Sequence, residues 1–325
     1  MASNQTKFEK EQAYREAFLA RLNKKLSTPT TEWPTVRCWT EPNLNKIFKQ
    51  VRDELTQENL KSSLPHVSLL NWLCNLGLAS SLPLEGESAY LFEMGASAET
   101  DVPPLELLMA SKPSGTICYF SAVAFHELTT QIVEHHHIAD LQTSSNTSAS
   151  ERPEINALEK PKSPTPSVAR APRGLGELLF RFQGVPYYGT RRSHRLVPGI
   201  QKRGYGPRSQ IRITTFEQTL LDTLYKPFHC GGPEVVFEAW QEAKTSHRIN
   251  EERLLQYLQA MNYPATSRRV AVMLELIGST PGNELQHYLQ TTQDTIDRQS
   301  PHANISLLPG IEYQSINQAW LVNMP

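Results

Sequence analysis

The sequence lacks the features that characterise secreted, membrane-spanning and zinc-binding proteins. It has few cysteines, no CxxC pair and no apolar run that approaches a membrane span; the cysteines are Cys38, Cys74, Cys118 and Cys230. Such wide spacing argues against a zinc ribbon and against a disulfide framework. The first residues, MASNQTKFEKEQ, are polar. We therefore expect no signal peptide, no membrane partner, and a cytoplasmic protein with reduced thiols.

A large excess of charge of one sign is also lacking, since the formal net charge is -1. This excludes a globally basic nucleic-acid binder and leaves local basic patches open. At 325 residues the chain exceeds an average domain, so we expect two or three folded units, each large enough for its own core.

Hydrophobic periodicity predicts an α+β fold arranged in five segments. These are an N-terminal amphipathic helix and loop (1–40), a winged helix-turn-helix (41–100), a helical connector (101–141), a disordered linker (142–174), and a C-terminal mixed α/β domain with a helical bundle (175–325). The linker, TSSNTSASERPEINALEKPKSPTPSVARAPRG, is rich in Ser, Thr, Pro and Ala. Because it has no apolar period, it cannot bury enough surface to offset its ordering entropy.

The first helix is predicted over Lys7–Leu26. Its apolar stripe consists of Phe8, Tyr14, Phe18, Leu22 and Leu26. One interpretation is an arm that packs on its own domain, and the other is a helix that binds a second copy or a partner. Trp33 and Trp39 are expected to anchor the proline-containing loop that follows.

Helices and a hairpin in the next fifty residues have the outline of a winged helix. The pattern predicts a first helix over Leu44–Leu55, a short second one over QENLKSSL, and a third that begins with Pro65 as its first residue and ends at Gly77. Its inward residues are predicted to be Leu69, Trp72, Leu73 and Leu76. Two strands, Leu78–Leu84 and Ala89–Glu93, complete the outline.

The third helix would be the recognition helix, with Ser68, Asn71 and Asn75 facing outward. That face has no arginine or lysine, although arginine to guanine is the commonest specific base contact. Nearby basic residues are expected to hold phosphates, which positions a protein without specifying a sequence; they are Lys46, Lys49, Arg52 and Lys61. The alternative is a winged helix that serves only to dock another protein.

Histidines invite a metal-site interpretation, which the spacing does not favour. His126 lies between apolar residues and is expected to be packed or hydrogen-bonded. Adjacent residues point in different directions on a helix or strand, so His135, His136 and His137 are expected to be exposed and not to share one ion. Ser121 is a candidate helix cap. No metal and no cofactor are predicted.

A basic run follows the linker. Between Lys160 and Arg212 twelve residues are basic and only Glu177 is acidic. The members assigned to a phosphate-facing surface are Arg181, Arg191, Arg192, Arg195, Lys202, Arg203, Arg208 and Arg212. An acidic protein partner is the alternative. The same region is predicted to contain strands at Glu177–Phe182 and Val185–Tyr188.

The stretch Ile211–Gly232 is predicted to be the structural hub of the C-terminal domain. A strand leads into a helix whose capping box pairs Thr214 with Glu217, and Gly231 and Gly232 end the element. Asp222 is expected to bond to backbone or to pair with an arginine. Later helices are predicted at Pro233–Ala243, Asn250–Met261, Ser267–Ile277 and Asn283–Gln293, with Asn250 and Ser267 as caps and a last strand at Ala319–Val322.

The order of these pieces resembles the AbiEi family of antitoxins from type IV abortive-infection toxin–antitoxin systems. The similar blocks are YFSAVAFHEL (Tyr119 to Leu128), TTFEQTLLDTLYKPFHCGGPEVV (Thr214 to Val236) and RRVAVMLELIG (Arg268 to Gly278). The resemblance implies a transcriptional regulator that binds inverted repeats in double-stranded promoter DNA and represses its own operon. It also implies a C-terminal domain that counteracts a nucleotidyltransferase-like toxin, through an indirect or weak relation.

An enzyme of a phage-defence system is the alternative, along with a non-catalytic interaction module. A Mg²⁺-dependent nuclease needs clustered acids and often a lysine. Asp222, Glu217, Glu242 and Lys244 are the candidates. Glu242 and Lys244 are predicted on a helix, where residues two apart face away from each other, so no catalytic residue is assigned.

Overall fold

A computed structural model of the protein describes residues 2–61, 64–92, 102–143, 174–206, 209–300 and 303–325. It confirms a mixed α+β protein. The chain divides into two compact units. Unit 1 comprises Met1–Ser114, Leu179–Tyr187 and Lys202–Ile211, and unit 2 comprises Gly115–Leu178, Tyr188–Gln201 and Arg212–Pro325. The predicted linker falls mostly on 144–173, which are outside the described residues.

The helices are α1 (Ala2–Lys25), α2 (Glu41–Gln57), α3 (His66–Asn75), α4 (Pro104–Ser111), α5 (Tyr119–Phe125), α6 (Phe216–Tyr225), α7 (Pro233–Thr245), α8 (Glu251–Met261), α9 (Pro264–Leu276) and α10 (Asn283–Asp294). The strands are β1 (Cys38–Thr40), β2 (Ala79–Leu82), β3 (Leu84–Glu85), β4 (Ala89–Phe92), β5 (Thr116–Ile117), β6 (His136–Gln142), β7 (Glu177–Phe182), β8 (Val185–Ser193), β9 (Ile200–Gly204), β10 (Gln210–Thr214), β11 (Ile305–Ser306), β12 (Ser315–Asn317) and β13 (Val322–Met324). None of the helices in the described ranges is long and apolar enough to cross a membrane.

In unit 1, α1 packs on α2 through the predicted stripe. Tyr14, Phe18 and Leu22 are buried, and the rings of Phe18 and Phe48 meet edge to face at 5.2 Å between centroids. This confirms packing of the helix on its own domain from Tyr14 onward. Phe8 is 70 % exposed, so its assignment to the inward stripe is wrong. Trp33 and Trp39, both buried with ring centroids 5.1 Å apart, anchor the loop as expected.

After α1, the chain of unit 1 continues through β1, α2, α3, β2, β3, β4 and α4. Strands β1, β4 and β2 are neighbours in that order and form an antiparallel sheet. The predicted second helix over QENLKSSL is wrong, since α2 ends at Gln57 and Asn59 adopts a positive φ of 63°. A left-handed residue of this kind terminates a helix. Pro65 is the N-cap of α3 and not its first residue.

Strands β8, β6, β5 and β10, each wholly or mostly in unit 2, are neighbours in that order. Ile117 of β5 pairs with Ile213 of β10 in a parallel ladder and with Ile138 of β6 in an antiparallel one. β10 leads directly into α6, as the sequence predicts. All ten residues of α6 are buried, which exceeds the single apolar face expected from its periodicity.

Helices α7, α8 and α9 pack on α6, and α10 packs on α8 and α9, which confirms the predicted helical bundle. Trp240 of α7 is fully buried and donates from Nε1 to Thr223 Oγ1 at 3.1 Å. The C-terminal strands form a separate sheet with the order β11-β13-β12. The strand predicted at Ala319–Val322 is instead β13, three residues later at its start, and it pairs within this separate sheet.

Helix caps are the least accurately predicted local feature of unit 2. Ser121 lies inside α5, whose N-cap is Cys118, and Ser267 lies inside α9, whose N-cap is Tyr263. Both serines are buried and bonded to side chains or backbone of other elements. A hydroxyl in the helix interior is therefore used here for tertiary contacts.

Asn250 is the predicted cap that is confirmed, since its Oδ1 accepts from the backbone N–H of Arg253 at 3.0 Å. Asn250→Ala should lower the free energy of unfolding by about 1 kcal/mol, because one N-terminal donor of α8 loses its acceptor. Chemical denaturation measures this loss. Asn250→Asp, which keeps an acceptor, is the matched control and should retain most of the stability.

Candidate nucleic-acid interface

Helix α3 presents a polar outer face and an apolar inner one. Leu69, Leu70 and Leu73 are buried, whereas Asn71 and Asn75 are exposed and Ser68 is partly exposed. The structure thus places the three predicted contact residues on one solvent-facing side. Leu76, predicted to face inward, is 52 % exposed because it lies beyond the last residue of α3.

The outer face of α3 is not purely polar, since Val67 is 61 % exposed in its first turn. In a DNA major groove an asparagine amide can pair bidentately with N6 and N7 of adenine, and an aliphatic side chain can contact the methyl group of thymine. A face that carries Val67 beside Asn71 is therefore suited to A·T base pairs. Val67 was not among the residues predicted to contact DNA, and the sequence marks it only by its position one residue before Ser68.

Basic side chains predicted to hold phosphates lie on α2 and just after it. Lys46, Lys49 and Lys61 are exposed. Lys46 donates to Asn43 Oδ1 at 3.0 Å, which orients its ammonium group along the helix. Arg52 is partly buried and hydrogen-bonds Tyr14, whose pKa is raised by burial and partly lowered again by Arg52. Arg52 therefore contributes first to packing of α1 on α2.

The basic run is divided between the two units. Unit 1 holds Arg181, Lys202 and Arg203, and unit 2 holds Arg191, Arg192, Arg195 and Arg212. Four of these are exposed: Arg191, Arg195, Lys202 and Arg203. Arg181 and Arg212 are partly buried, and Arg208 lies outside the described residues.

Arg192 does not belong to an exposed basic surface, and that prediction is wrong. It is 3 % exposed, and its guanidinium donates to both carboxylate oxygens of Asp222, at 2.7 Å and 2.6 Å. Its position explains the error, because alternation along β8 exposes Arg191 and directs Arg192 inward. The expectation that Asp222 pairs with an arginine is confirmed.

Neighbouring groups complete this buried polar centre. Gln218 Nε2 donates to Asp222 Oδ1 at 2.9 Å, and Gln218 Oε1 accepts from the Gly199 N–H at 3.2 Å. The Tyr119 ring lies 4.7 Å below the Arg192 guanidinium. Burial lowers the pKa of Arg192, but Asp222 and Tyr119 outweigh it, and the pKa lies well above its ordinary value. The Arg192 guanidinium is therefore charged at physiological pH.

Glycine is required where the chain passes this centre. A Cβ on Gly199 would lie 2.5 Å from Thr215 Oγ1 and 2.8 Å from Gln218 Cβ. Because Gly199 has no side chain, its backbone lies close enough to α6 to form two hydrogen bonds. The Gly199 N–H donates to Gln218 Oε1, and the Gly199 carbonyl oxygen accepts from the Thr215 N–H at 3.0 Å. The irregular segment that leads into β9 is thereby tied to the start of α6.

The predicted capping box of α6 is wrong by one residue. Thr215, not Thr214, is the N-cap, and its hydroxyl accepts from Gln218 N–H at 3.4 Å. Thr214 instead bonds to the Thr219 hydroxyl at 2.8 Å. Glu217 reaches away from the cap and accepts from the Asn250 N–H at 3.2 Å. Glu217 and Thr215 thereby connect the start of α6 to α8, since Thr215 also hydrogen-bonds the Tyr257 hydroxyl at 3.2 Å.

Gly231 and Gly232 end the element as predicted. Both have positive φ, 97° and 98°, after a 3₁₀ turn over Pro227–Cys230. A Cβ on Gly231 would lie 2.8 Å from Val235 Cγ2 and 2.9 Å from Phe120 Cζ. Both conformation and space therefore require glycine at this position.

Histidines in unit 2 form a buried group that we call the imidazole cluster, consisting of His135, His137 and His229. His137 Nε2 lies 3.0 Å from His135 Nδ1, and the His137 and His229 rings stack with centroids 5.3 Å apart. Tyr188 stacks on His137 at 5.5 Å, and Tyr119 meets His229 edge to face at 5.0 Å. Tyr119 holds its place with a positive φ of 55°, an uncommon conformation for an aromatic residue.

The expectation that the histidine triplet is exposed is wrong. His135, His136 and His137 are all buried, and His137 is 0 % exposed. Alternation along an extended segment predicts this arrangement, since residues two apart share a face. His135 and His137 therefore meet, while His136 turns to Ser121, whose Oγ lies 3.2 Å from its Nδ1. In the part of the chain that the structure describes, no group of three metal-binding side chains converges.

Burial keeps these rings neutral. It lowers the pKa of His136 to about 4 and that of His229 to about 3, with Lys226 adding to the effect at His229. The pKa values of His135 and His137 are also lowered, mainly by burial. The nearby Cys118 thiol has its pKa raised by burial to about 12, against the opposing charge of Arg192. His126, outside the cluster, bonds Thr214 O at 2.8 Å and is packed as predicted.

The residues considered for a nuclease are held in separate contacts. Glu242 and Lys244 both lie on α7; Glu242 is exposed, and Lys244 Nζ donates to Ile277 O at 2.5 Å. Asp222 is bonded to Arg192, and Glu217 to the backbone of Asn250. These four side chains therefore do not converge on a common point where they could hold a metal ion.

Comparisons with protein-family models and with curated proteins give no match to this chain.

Proposed function

We propose that this protein is a DNA-binding transcriptional regulator whose unit 1 is a winged helix that reads double-stranded DNA with α3. The observation that carries the proposal is the outer face of α3, where Ser68, Asn71 and Asn75 are presented to solvent on a helix anchored by buried leucines. A helix fixed in this way and bearing short amides fits the major groove.

The order of elements in unit 1 supports the same proposal. A helix, a strand, two helices and a two-stranded antiparallel hairpin follow one another, and β1 pairs with β4 beside β2. Winged-helix proteins place a recognition helix immediately before such a hairpin. Lys46, Lys49 and Lys61 provide the phosphate contacts, which fix register without reading sequence.

The resemblance to AbiEi antitoxins supplies the biological role within the proposal. The protein would bind inverted repeats in its own promoter, repress the operon and counteract a nucleotidyltransferase-like toxin without a stable complex. The blocks that resemble the family lie in α5, α6 with the following turn, and α9. All three are core elements of unit 2, so the resemblance concerns how this unit folds more than any exposed site.

Loss of the α3 amides should weaken sequence-specific DNA binding. Asn71→Ala and Asn75→Ala should each reduce affinity for upstream promoter DNA by about tenfold, since a good bidentate base contact contributes about 1–3 kcal/mol. Fluorescence anisotropy with labelled duplex, at several salt concentrations, measures the change. Affinity for unrelated duplex should fall much less than affinity for the promoter.

Two matched variants separate base contacts from general effects. Gln12→Ala changes an exposed amide of α1 and should leave affinity unchanged. Lys46→Ala and Lys49→Ala should weaken binding to every sequence and reduce the salt slope by about one each. The proposal is contradicted if the wild-type protein binds no upstream DNA at low salt, or if both α3 variants bind promoter DNA with wild-type affinity.

A further inference from the structure

Strand β12 lies at one edge of the C-terminal sheet, and its outer side is accessible. The strand order in this sheet is β11-β13-β12, so in the described part of the chain β12 pairs only with β13. Residues 312–319 are all exposed except Asn317, which is partly buried. An edge strand presents a row of backbone donors and acceptors with which a further strand can pair.

The hydrogen bonds of β13 show which backbone groups of β12 face this open edge. Leu307 N–H donates to Asn323 O at 2.9 Å, so the main chain of Asn323 faces β11. Because main-chain groups alternate in direction along a strand, the two neighbours of Asn323 in β13 face β12, where they pair with Ser315 and Asn317. The N–H and C=O of Ile316, which lies between those two residues, therefore point away from β13.

The opposite edge of the same sheet is protected, whereas β12 is not. Ile305 and Leu307 donate to β13, so the Ser306 carbonyl between them faces outward, and it accepts from Arg269 Nε at 2.8 Å. Charged side chains and prolines are the usual protection of an edge strand against association. Residues 313–320 contain neither, since their sequence is YQSINQAW.

Exposed apolar side chains lie beside the open edge. Ile316 is 36 % exposed and Tyr313 is 57 % exposed. Asn317 Nδ2 donates to Glu275 Oε2 at 2.9 Å, which holds β12 beside the end of α9. Leu276, the last residue of α9, is 45 % exposed there. Association along this edge would remove part of this apolar surface from water.

We propose that the outer edge of β12 pairs with β12 of a second copy, antiparallel and across a two-fold axis. The axis places the two copies of Ile316 opposite each other, so that their outward N–H and C=O groups form two reciprocal hydrogen bonds. Two three-stranded sheets thereby become one continuous sheet.

A second copy is the partner that the chemistry of this edge fits. In the two-fold arrangement Gln314 lies opposite Gln318, and Ser315 lies opposite Asn317. Amide and hydroxyl groups both donate and accept, so they pair favourably with their own kind. No like charges meet between residues 313 and 319, where they would oppose pairing. The surface belongs to unit 2 and is separate from the proposed DNA contacts of α3.

The test is sedimentation velocity of the full chain without DNA, from about 1 µM to about 500 µM protein. Wild type should change from monomer to dimer with a dissociation constant of about 10–100 µM, because the interface is small. Ile316→Lys and Ile316→Glu should each weaken dimerisation more than about tenfold, since like charges then meet across the axis. An equimolar mixture of the two variants should dimerise again, a recovery that unfolded variants would not show.

Two further variants separate backbone pairing from general surface effects. Ile132→Lys is the matched control, because Ile132 is 89 % exposed in the loop before β6, and its dissociation constant should stay within about twofold of wild type. Ile316→Pro removes an N–H that β13 does not use, so it should weaken dimerisation and leave the pairing of β12 with β13 intact.

The proposal is overturned if wild type remains monomeric at about 500 µM, which would leave this edge to a strand of another protein. It is also overturned if Ile316→Lys and Ile316→Glu dimerise as wild type does, or if their mixture stays monomeric. Because no DNA is present, none of these outcomes bears on the proposed reading of DNA by α3.

Discussion

Asp222→Ala should destabilise the protein by about 3–5 kcal/mol, because it leaves the Arg192 guanidinium buried without its counter-ion. Arg192 is 3 % exposed and Asp222 is 1 % exposed, so solvent cannot replace either partner. Removal of the carboxylate also leaves Gln218 Nε2 without one of its acceptors. Chemical denaturation, followed by circular dichroism, measures the difference in the free energy of unfolding.

A paired replacement distinguishes a broken ion pair from lost packing. Arg192→Met combined with Asp222→Leu should recover most of the stability, since well-packed apolar residues replace buried ion pairs at little or no cost. Glu242→Gln, at an exposed acid of α7, should change stability by less than about 0.5 kcal/mol. If Asp222→Ala were as stable as wild type, the ion pair would not be a determinant of the fold.

The nuclease alternative has its own test at the same position. It would be favoured if the wild-type protein cleaved DNA in the presence of Mg²⁺ and Asp222→Asn abolished that cleavage.

Mild acid should destabilise unit 2 through its buried histidines. In the folded protein the pKa of His136 is lowered to about 4 and that of His229 to about 3, from an ordinary value of 6.5. The unfolded chain therefore binds protons first as the pH decreases. Stability from these residues is complete above about pH 6.5 and is lost as the pH falls toward the folded pKa values; by pH 5 each contributes a loss of about 2 kcal/mol.

The groups that surround the imidazole cluster explain why protonation is unfavourable there. His229 faces His135, Arg192 and Lys226, all of which oppose a positive charge on its ring. His137 faces His135, His136 and His229, and its Nδ1 has no partner among the described residues. The Glu134 carboxylate and a backbone hydrogen bond favour the charged ring at His135, but burial outweighs them and the pKa is lowered.

His229→Phe tests this pH dependence, because it removes one protonation site and keeps a ring to stack on His137 and Tyr119. Its loss of stability between pH 6.5 and pH 5 should be smaller than that of wild type by about 2 kcal/mol. His287→Gln, at an exposed position of α10, serves as the control and should follow the wild-type curve. An identical slope in His229→Phe and wild type would show that this histidine does not couple folding to protonation.

The DNA-binding measurements and the stability measurements concern different units, so each can be interpreted without the other. Variants of α3 test a surface of unit 1, whereas Asp222 and His229 belong to unit 2. A regulator whose DNA contacts lie in unit 1 should keep promoter binding as long as that unit is folded. Loss of promoter binding in Asp222→Ala, at a denaturant concentration where unit 1 remains folded, would show that unit 2 also contributes to binding.

Local patterns were sufficient for most elements. The stripe from Tyr14 to Leu26 predicts α1, the alternation around Ile211 and Ile213 predicts β10, and the helical spacing after Pro233 predicts the bundle. Such patterns succeed because burial on one side of a helix or strand repeats with the period of that element. Side-chain chemistry over a few residues also placed the Asn250 cap and the glycine stop at Gly231 correctly.

Buried polar contacts were decided by tertiary structure. The sequence predicts the same phosphate-facing role for Arg191 and Arg192, because both belong to the basic run. In the folded chain Arg191 is exposed on β8, whereas Arg192 is buried and pairs with Asp222, thirty residues later. Likewise, nothing local to the histidine triplet indicates His229 or Tyr188 as neighbours. The sequence determined which residues form helices and strands, because periodicity is local. Only the folded chain determined which charges are exposed and which are paired, because their partners come from distant segments.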